Sequence, residues 1–562
     1  MRKKLLLIAL AMSMILTLCG CRAEEEKPDD GSQNNALAEE QETPKEPVKT
    51  FNVVEFGVKP NVAEAQTEAF QAALDVCFLA GGGEVVVPEG SYVIGDVRIR
   101  SNTTLHLLEN AKLLGSLDPW DYMHINEDRM EPLPEEQNTR VRWKSASEWQ
   151  GMGGGFKTHL YTVGSYWNYG IIRAAYAENI AIIGEEGSLI DGRNVYDPEG
   201  EESYRGPHAI NMHFCKNVTF RGYTVQNSSN WAHAIFQSEG VTFQDLTVLA
   251  GHDALHTRAC DDVLIENCKL ITGDDAIAGF DNINVVVRGC EISSACSAFR
   301  YGGYNILVED CEVWGPCPYQ FRGSFTFSEK VEGVLSSVNG RNNMLSFWTN
   351  FVTDDLPVRH TPGKIVLRNC TVRNADRLLH LNLSGNETWQ RGTPPTDITF
   401  ENIKAEGIQM GLTAYGVKNS PMTLTLKNVE YSFREGSEET PMFRVAYCDE
   451  IKLQNVKVTN YKGDSLIRSW SSGVNVLVDD LECDITDEEL LNAKKSIKNG
   501  FLSVYDGAET LEAWAFLRGL CGIYTTPDKE IQKIENTTVE DIQRIAKRIT
   551  LDTVYFLTGE EK

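Results

Sequence analysis

Short apolar and β-branched runs recur along the chain at a nearly constant interval. Five of them start 21 to 23 residues apart: Val218-Thr219-Phe220, Val241-Thr242-Phe243, Val263-Leu264-Ile265, Val285-Val286-Val287 and Ile306-Leu307-Val308. Looser copies, separated by insertions, start at Ile365, Ile398, Leu424, Ile451 and Val476. Each repeat holds two or three short strands with turns and no helical period. The pattern therefore predicts one coil of a stacked solenoid per repeat.

The solenoid that fits this repeat is a right-handed parallel β-helix. A propeller blade requires a longer period, and the pattern of a leucine-rich repeat is absent. Asparagine recurs at one ladder position, at Asn267, Asn369, Asn402, Asn428 and Asn455. Bend residues repeat in register because neighbouring coils lie about 4.8 Å apart. We therefore predict an all-β fold with one long core built by stacking.

Helical patterns flank the predicted coils. Residues Thr67–Ala80 are apolar at helical spacing and precede a glycine triplet, which predicts a helix that caps the open N-terminal coil. The segments after the last strand pattern are the helix-like Asp487–Lys498, Ala508–Leu520 and Thr537–Arg548 and the strand-like Thr553–Leu557. We predict a β-helix domain over residues 51–484 and a small α-rich tail over residues 485–562.

The N-terminus has the features of an export signal. Residues 1–20 join three basic residues to an apolar run too short for a transmembrane span. The sequence Leu18-Cys19-Gly20-Cys21 resembles a bacterial lipobox, which predicts a lipoprotein signal peptide and lipidation of Cys21. An ordinary secretory signal that contains a cysteine is the alternative. Residues 21–50 are acidic and contain proline, which predicts a disordered tether to a membrane anchor at the bacterial cell surface.

The net charge indicates which classes of partner the chain can bind, and the cysteine spacing indicates whether its thiols form disulfides. The chain has 80 acidic and 53 basic residues, a net charge of -27, and this field repels phosphate backbones, so we predict no nucleic-acid partner. Fourteen cysteines in an exported chain would suggest disulfides. However, Cys268, Cys290 and Cys311 recur at coil spacing in matching contexts, which predicts buried free thiols in a stack.

Three aspartates lie in the most regular coils. Asp253 and Asp274 are 21 residues apart, about one coil, and Asp275 follows directly. The spacing predicts that their carboxylates converge on one wall. Close like charges raise at least one pKa, so one group can hold a proton as general acid while the others stay ionised as bases. Two carboxyl groups with room for a water are what inverting glycoside hydrolysis needs.

Other interpretations of these residues remain open. A calcium site or solvated turns would use the same aspartates. The segment His252–His256 superficially resembles a two-histidine zinc motif, but that motif works on a helix face and no third ligand is obvious. We predict no metal and no cofactor, and we expect His256 and Arg258 to contact a sugar.

The chain resembles glycoside hydrolase family 28, the polygalacturonase-like enzymes of the pectin-lyase-type β-helix superfamily. The segments that carry the resemblance include Asn52–Gly57, Leu105–Leu107, Ile190–Gly192, Asn227–Trp231 and Gly273–Ala278. The resemblance covers residues 51–330 well. It implies that Asp274 is the general acid and that Asp253 and Asp275 activate water.

The chain departs from the family pattern where the resemblance implies substrate contacts. The family's Gly-His-Gly element falls near Ser294–Ala298, which contains no histidine. The nearest counterparts of its Arg-Ile-Lys substrate clamp are Arg322 and Arg300. Cationic groups are what a galacturonate carboxylate requires. A neutral or weakly charged glycan therefore fits the sequence at least as well as pectate.

Two segments outside the repeat have their own interpretations. The tail, especially Thr538–Lys547, resembles the C-terminal part of insulinase-like and processing-peptidase-like metallopeptidases, but the chain lacks their His-x-x-Glu-His motif, so peptidase activity is not implied. The aromatic-rich stretch from Asp118 to Gly170 fits a sugar-stacking loop or an insertion packed on the solenoid wall.

The leading interpretation is an exported, lipid-anchored and monomeric glycoside hydrolase that cleaves a polysaccharide or oligosaccharide with inversion. A β-helix polysaccharide lyase that uses Ca²⁺ is one alternative. A non-catalytic carbohydrate-binding solenoid is another.

Overall fold

Parallel strands stacked in three ladders form the body of the protein. The computed structural model describes residues 48–123, 169–198, 200–333, 346–352, 358–385, 390–437, 441–463, 466–471, 474–483, 487–520 and 524–541. In chain order the strands are β1 (Thr50–Asn52), β2 (Gly83–Val87), β3 (Gly90–Ile94), β4 (Val97–Arg98), β5 (Thr103–Leu107), β6 (Ala111–Gly115), β7 (Gly170–Ala175), β8 (Glu178–Gly184), β9 (Leu189–Asp191), β10 (His208–His213), β11 (Lys216–Arg221), β12 (Thr224–Gln226), β13 (His233–Phe236), β14 (Glu239–Gln244), β15 (Thr247–Ala250), β16 (Leu255–Arg258), β17 (Asp261–Glu266), β18 (Lys269–Thr272), β19 (Ile277–Arg288), β20 (Glu291–Ser294), β21 (Ser297–Glu309), β22 (Glu312–Trp314), β23 (Ser346–Asn350), β24 (Gly363–Arg368), β25 (Thr371–Arg373), β26 (Leu379–Asn382), β27 (Asp397–Ile408), β28 (Leu412–Tyr415), β29 (Thr423–Phe433), β30 (Phe443–Ala446), β31 (Glu450–Thr459), β32 (Ile467–Ser469) and β33 (Asn475–Cys483).

The three ladders are the walls of a parallel β-helix, which confirms the predicted fold class. Wall A contains β11, β14 and β17 and continues through the second part of β19. Wall B contains β12, β15, β18 and β20. Wall C contains β10, β13 and β16 and continues through the first parts of β19 and β21. One coil passes from wall A to wall B to wall C, so each wall receives one strand segment per coil.

The register of wall A reproduces the sequence repeat. The residues that open successive repeats pair in one column: Val218 with Val241, Val241 with Val263, Val263 with Val285, Val285 with Ile306, Ile306 with Ile365, Ile365 with Ile398, Ile398 with Leu424, Leu424 with Ile451, and Ile451 with Val476. The looser copies therefore also occupy the positions that the pattern predicts. Insertions between coils lengthen the chain interval without changing the stacking register.

Alternation along each strand builds the core. In β14, Val241 and Phe243 are fully buried while Thr242 between them is partly exposed. Phe243 stacks on Phe220 of the neighbouring coil with ring centroids 5.0 Å apart. Alternate residues of a strand face opposite sides of the sheet, so one apolar residue in two is enough to fill the interior.

Two polar columns follow the bends, as the repeat predicts. Asn402, Asn428 and Asn455 each donate a side-chain hydrogen bond of 2.9 Å to the asparagine of the preceding coil, and all adopt a positive φ, which asparagine tolerates better than most residues. Cys268, Cys290 and Cys311 are buried free thiols. Their predicted positions inside the stack are confirmed.

Helices precede, interrupt and follow the strands along the chain. Their bounds are α1 (Thr67–Leu79), α2 (Trp120–Met123), α3 (Phe327–Glu332), α4 (Asp487–Leu502), α5 (Ala508–Leu520) and α6 (Pro527–Asn536). Helix α1 buries Phe70, Leu74 and Cys77 in the main core, as expected of the predicted capping helix. The helices α4 and α5 match predicted segments, whereas α6 was missed; Thr526 caps its N-terminus and Pro527 begins it. The change from strands to helices falls between Cys483 and Asp487.

Several sequence predictions fall outside the described residues. They concern the signal and tether over residues 1–47, nearly all of the aromatic stretch, most of the helix predicted from Thr537 and the strand predicted at Thr553. Across the described ranges, every helix is too short or too polar to cross a membrane.

Candidate active site

The three aspartates lie at the corner where wall B passes into wall C. Asp253 lies in the turn between β15 and β16, and Asp274 and Asp275 lie in the equivalent turn between β18 and β19 of the next coil. One carboxylate oxygen from each aspartate lies within 4.8 Å of the other two. Leu255 pairs with Ile277, and Ala254 N donates to Asp275 O at 3.2 Å, so Asp253 is level with Asp275 rather than Asp274. The structure therefore brings together all three predicted catalytic carboxylates.

Hydrogen bonds to a backbone carbonyl hold the turn that carries Asp274. The Asp274 carbonyl accepts hydrogen bonds from the hydroxyls of Thr272 at 3.0 Å and Ser294 at 2.5 Å. A Cβ on Gly273 would lie 2.0 Å from the carbonyl oxygen of Gln320. Only glycine therefore lets the loop from β22 to α3 pass this close to the aspartate turn.

Asp275 is paired with Arg300 of the following coil. Arg300 Nη1 donates to Asp275 Oδ2 at 2.8 Å, and the Asp275 side chain is only 3% exposed. The register of wall C places Arg300 beside Ala278 and Ala278 beside His256. The Arg300 guanidinium also lies 4.4 Å from the ring centroid of Phe351. This contact fixes the cation over the carboxylate.

Asp253 is held by His256 on its own coil. Asp253 Oδ2 lies 2.7 Å from His256 Nδ1, and Arg258 Nε donates to His256 Nε2 at 2.6 Å. His256 is fully buried and stacks on Trp231, with ring centroids 3.7 Å apart. His256 and Arg258, which are predicted to contact a sugar, therefore contact the carboxylate cluster and the wall in this structure.

Asp274 is the most open of the three carboxylates. Its side chain is 16% exposed, and Arg205 Nη2 lies 3.7 Å from its Oδ2. Arg205 comes from the loop before β10 and also contacts Glu202 and Asn230. The Cys296 thiol, on the next coil, lies beside Asp274 and donates to the Gly273 carbonyl oxygen at 3.8 Å.

Burial and mutual repulsion raise two of the three carboxyl pKa values. Burial first, and then the Asp275 carboxylate, raise the pKa of Asp274 to about 6, against the opposing effect of Arg205 and Arg300. Burial and the two neighbouring carboxylates raise the pKa of Asp253 well above its ordinary value. The cluster can therefore retain a proton near neutral pH, as an acid–base site must.

Arg322, a predicted substrate contact, is engaged by backbone carbonyls. It is 1% exposed, and its guanidinium donates to three backbone carbonyls, those of Asn194, Ser229 and Lys330. Burial lowers its pKa to about 10. Arg322 fastens the loop that carries α3 to the turns of two earlier coils, and the prediction that it binds substrate has no support in this geometry.

Sequence reasoning missed Arg205 and Cys296. Cys296 lies 22 residues after Asp274, which is again one coil, so the repeat spacing could have found it. Arg205 has no such signal, because it lies in an irregular loop outside the coil register. Trp231 belongs to a segment that the resemblance includes, but its role as a stacking partner of His256 is visible only in three dimensions.

The cluster is better described as an acid–base site than as a cation site. Calcium takes roughly six to eight oxygen ligands, and the three carboxylates of this cluster would have to supply most of them. Arg300 and Arg205 already lie against Asp275 and Asp274 and offset their charge. We therefore assign no metal to these residues.

The fold and the site together define a β-helix protein with an acid–base cluster of carboxylates. Residues 153–298, which include all three aspartates, match the family described as "Glycosyl hydrolases family 28". Over these residues the β-helix of this chain is similar to glycoside hydrolase family 28.

Curated relatives carry polygalacturonase names. A "Probable polygalacturonase" of Vitis vinifera is 26% identical over 250 residues, which are 42% of this chain and 45% of the relative. A "Polygalacturonase" of Juniperus ashei is 32% identical over 287 residues, 48% of this chain and 45% of the relative. The chain thus spans about half the length of these relatives.

A solved structure supports the fold. The exopolygalacturonase of Thermotoga maritima aligns with 79% of this chain and 93% of its own length, at a TM-score of 0.50 and 15% identity. At this identity the likeness concerns the β-helix alone.

Proposed function

We propose that this protein hydrolyses glycosidic bonds in a polysaccharide or oligosaccharide by acid–base catalysis at Asp253, Asp274 and Asp275. The observation that carries the proposal is the convergence of three carboxylates within 4.8 Å, with only one of them open to solvent. Asp274 donates a proton to the leaving glycosidic oxygen. Asp253 and Asp275 hold and deprotonate the attacking water.

The contacts of each carboxylate support this division of roles. Asp275 accepts a charge-assisted hydrogen bond from Arg300, and Asp253 faces the ring nitrogen of His256. Hydrogen bonds to the ionised form favour that form. Asp274 is the most open of the three side chains and has its nearest cation only at 3.7 Å, so it is the one placed to deliver a proton to a bound sugar.

The burial of the two proposed bases supports inversion. A nucleophilic carboxylate must touch the anomeric carbon, but the side chains of Asp253 and Asp275 are only 2% and 3% exposed. In the proposed mechanism a water, rather than a carboxylate, therefore reaches the anomeric carbon. The water therefore attacks from the face opposite the leaving group, and the product has the inverted anomeric configuration.

A pectin-type galacturonan is the first substrate to test, with other glycans beside it. The relatives are named polygalacturonases, and Arg205 presents a guanidinium beside the proposed acid. Against this, Arg322 is occupied by backbone carbonyls and the net charge of -27 opposes a polyanion. The preference between charged and neutral glycans is therefore part of the experiment.

The test is hydrolysis of a glycan panel by the purified protein, with the product anomer read by proton NMR in the first minutes. We expect reducing ends with inverted configuration from the wild type and none from Asp274→Asn. Retained configuration would contradict the proposed water attack. Glycan binding without product, in wild type and variant alike, would instead support a carbohydrate-binding solenoid.

The same assay separates hydrolysis from a Ca²⁺-dependent lyase reaction, which three close carboxylates would also suggest. A lyase leaves an unsaturated product that absorbs in the ultraviolet and stops when calcium is chelated. We expect no such absorbance and no effect of chelator.

A further inference from the structure

The contacts of His256 determine its protonation state. Arg258 Nε always carries a hydrogen, so His256 Nε2, 2.6 Å away, must accept it and cannot itself be protonated. The single ring proton of a neutral imidazole then lies on Nδ1. Nδ1 is 2.7 Å from Asp253 Oδ2, and it therefore donates to that carboxylate.

The side chains packed around His256 fix the orientation of its ring. His256 is fully buried between Trp231, whose ring is stacked at 3.7 Å, and the Arg258 side chain. The Arg258 guanidinium in turn lies over the rings of Trp231 and Phe280, at 5.2 and 5.5 Å from their centroids. A protonated His256 would direct its Nε2 hydrogen at the Arg258 N–H. Burial and the Arg258 charge lower the pKa of His256 well below its ordinary value, in agreement with this geometry.

The second oxygen of Asp253 is available to a ligand. Asp253 Oδ1 is buried and has no hydrogen-bond partner among the described residues, although the residue is only 1% exposed. A buried carboxylate oxygen without a partner is unfavourable unless a water or substrate group completes it.

We propose that Arg258 and His256 are positioning residues: they hold the Asp253 carboxyl group by a hydrogen bond that favours its ionised form, and they aim its free oxygen at the attacking water. The order of contacts is Arg258 N–H to His256, then His256 N–H to Asp253, then Asp253 Oδ1 to water. Both side chains are buried, so the pair acts through Asp253. This inference rests on the proposed hydrolase function.

Other charged groups face Asp253 and must be separated from the effect of His256. They are Asp274 and Asp275, which disfavour its ionisation, Arg300 and Arg205, which favour it, and the Cys296 thiol; His208 lies near the His256 ring. None of these is altered when His256 is replaced. A change in the titration of Asp253 on that replacement therefore reports the Nδ1–H hydrogen bond.

The kinetic test compares His256→Leu, His256→Asn and the wild type. In the acidic limb of kcat/KM, Asp253 must lose its proton, and removal of the donor favours the protonated form. We expect His256→Leu to move this limb to higher pH by about one unit or more. Asparagine keeps a donor near the Nδ1 position and should restore much of the wild-type limb. Arg258→Lys should likewise retain more of it than Arg258→Met.

His233 offers a matched control. It is a buried histidine of β13, on the adjacent coil, and its nitrogens contact Tyr223 Oη and the Ala254 carbonyl rather than a carboxylate. We expect His233→Leu to lower stability without moving the acidic limb. The proposal would be overturned if His233→Leu and His256→Leu lowered stability equally and neither variant moved the acidic limb of kcat/KM. His256 would then be a packing residue.

A spectroscopic test needs no activity. In protein with ¹⁵N-labelled histidine, the signal that disappears in His256→Leu should be a neutral ring protonated on Nδ1 from pH 5 to pH 8. An Nε2-protonated ring, or titration to imidazolium, would overturn the proposal. If the glycan panel gives no product but this tautomer is found, the hydrolase function fails while the hydrogen-bond order stands.

Discussion

Arg300 Nη1 donates to Asp275 Oδ2 at 2.8 Å from the coil that follows the aspartate turn. The β-helix places residues that are one coil apart side by side. Phe299 pairs with Ile277, two residues after Asp275, and Arg300 follows Phe299. A cation from one coil thus stabilises an anion on the previous coil. The predictions below depend on this stacking of charged groups.

Removal of the proposed acid should abolish turnover. In Asp274→Asn the side chain keeps its shape but cannot cycle a proton, so we expect kcat to fall by roughly 10²- to 10⁴-fold. Initial rates on the best glycan of the panel measure the loss. Asp245→Asn is the control, since Asp245 is exposed on the same β-helix and its replacement should leave the rate unchanged. Full activity of Asp274→Asn would disprove the assignment.

The same substitution should change stability in a pH-dependent way. The pKa of Asp274 is raised to about 6 in the folded protein, against about 3.9 in an unfolded chain. A raised pKa contributes stability that is complete below pH 4 and is lost as the pH rises through 6. The Asp274→Asn variant has no charge to bury at this position. At pH 7.5 its free energy of unfolding should therefore exceed that of the wild type by up to about 3 kcal/mol.

Urea unfolding at pH 4 and pH 7.5 provides this measurement. The advantage of the variant should be small at the lower pH and should appear at the higher pH. A wild type that gains stability over the variant as the pH rises would contradict the raised pKa.

Replacement of Arg300 should affect both activity and stability. Arg300→Met leaves Asp275 buried without its donor, so we expect kcat to fall by about 10²-fold and the free energy of unfolding to fall by about 1–3 kcal/mol, because an unpaired buried charge is costly. Arg300→Lys keeps the charge and should lose less of both. Rate assays and urea unfolding on the two variants test this, and equal losses would point to packing on Phe351 instead of the charge.

The core of wall A should respond to a single truncation. Phe243 is fully buried and stacks on Phe220, so Phe243→Ala should lower the free energy of unfolding by about 3–5 kcal/mol. Thr242→Ala, one residue earlier on the outer face, should change it by less than about 1 kcal/mol. Chemical denaturation of the pair checks the alternation. Similar effects at both positions would contradict the inward orientation of Phe243.

The N-terminal prediction can be tested in bacterial cells that express the full chain. Lipidation of Cys21 would bring the protein into the membrane fraction and label it with a fatty-acid analogue. Cys21→Ser should abolish the label, whereas Cys19→Ser should retain it. Export of an unlabelled wild-type protein would favour the ordinary secretory signal.

The coil register could be read from the sequence because it is local and periodic. Val218, Val241 and Val263 recur at one-coil spacing, and a parallel stack pairs residues at that spacing whatever the rest of the chain does. The convergence of Asp253 with Asp274 and Asp275 follows from the same rule. Helix α6 has ten residues and few apolar positions, too few to show a helical period, so it was missed.

The partners of the carboxylates required the tertiary structure. Arg205 approaches Asp274 from an irregular loop, and Arg322 turns away to the carbonyls of Asn194 and Ser229. Loop paths depend on packing between segments distant in the chain, which no period encodes. The proton position on His256 likewise depends on Arg258 and Asp253 being brought to opposite sides of one ring. The sequence by itself thus determined the stacked coils and the place of the acidic cluster. The fold decided which groups hold each acid, because hydrogen bonds depend on direction and distance as well as spacing along the chain.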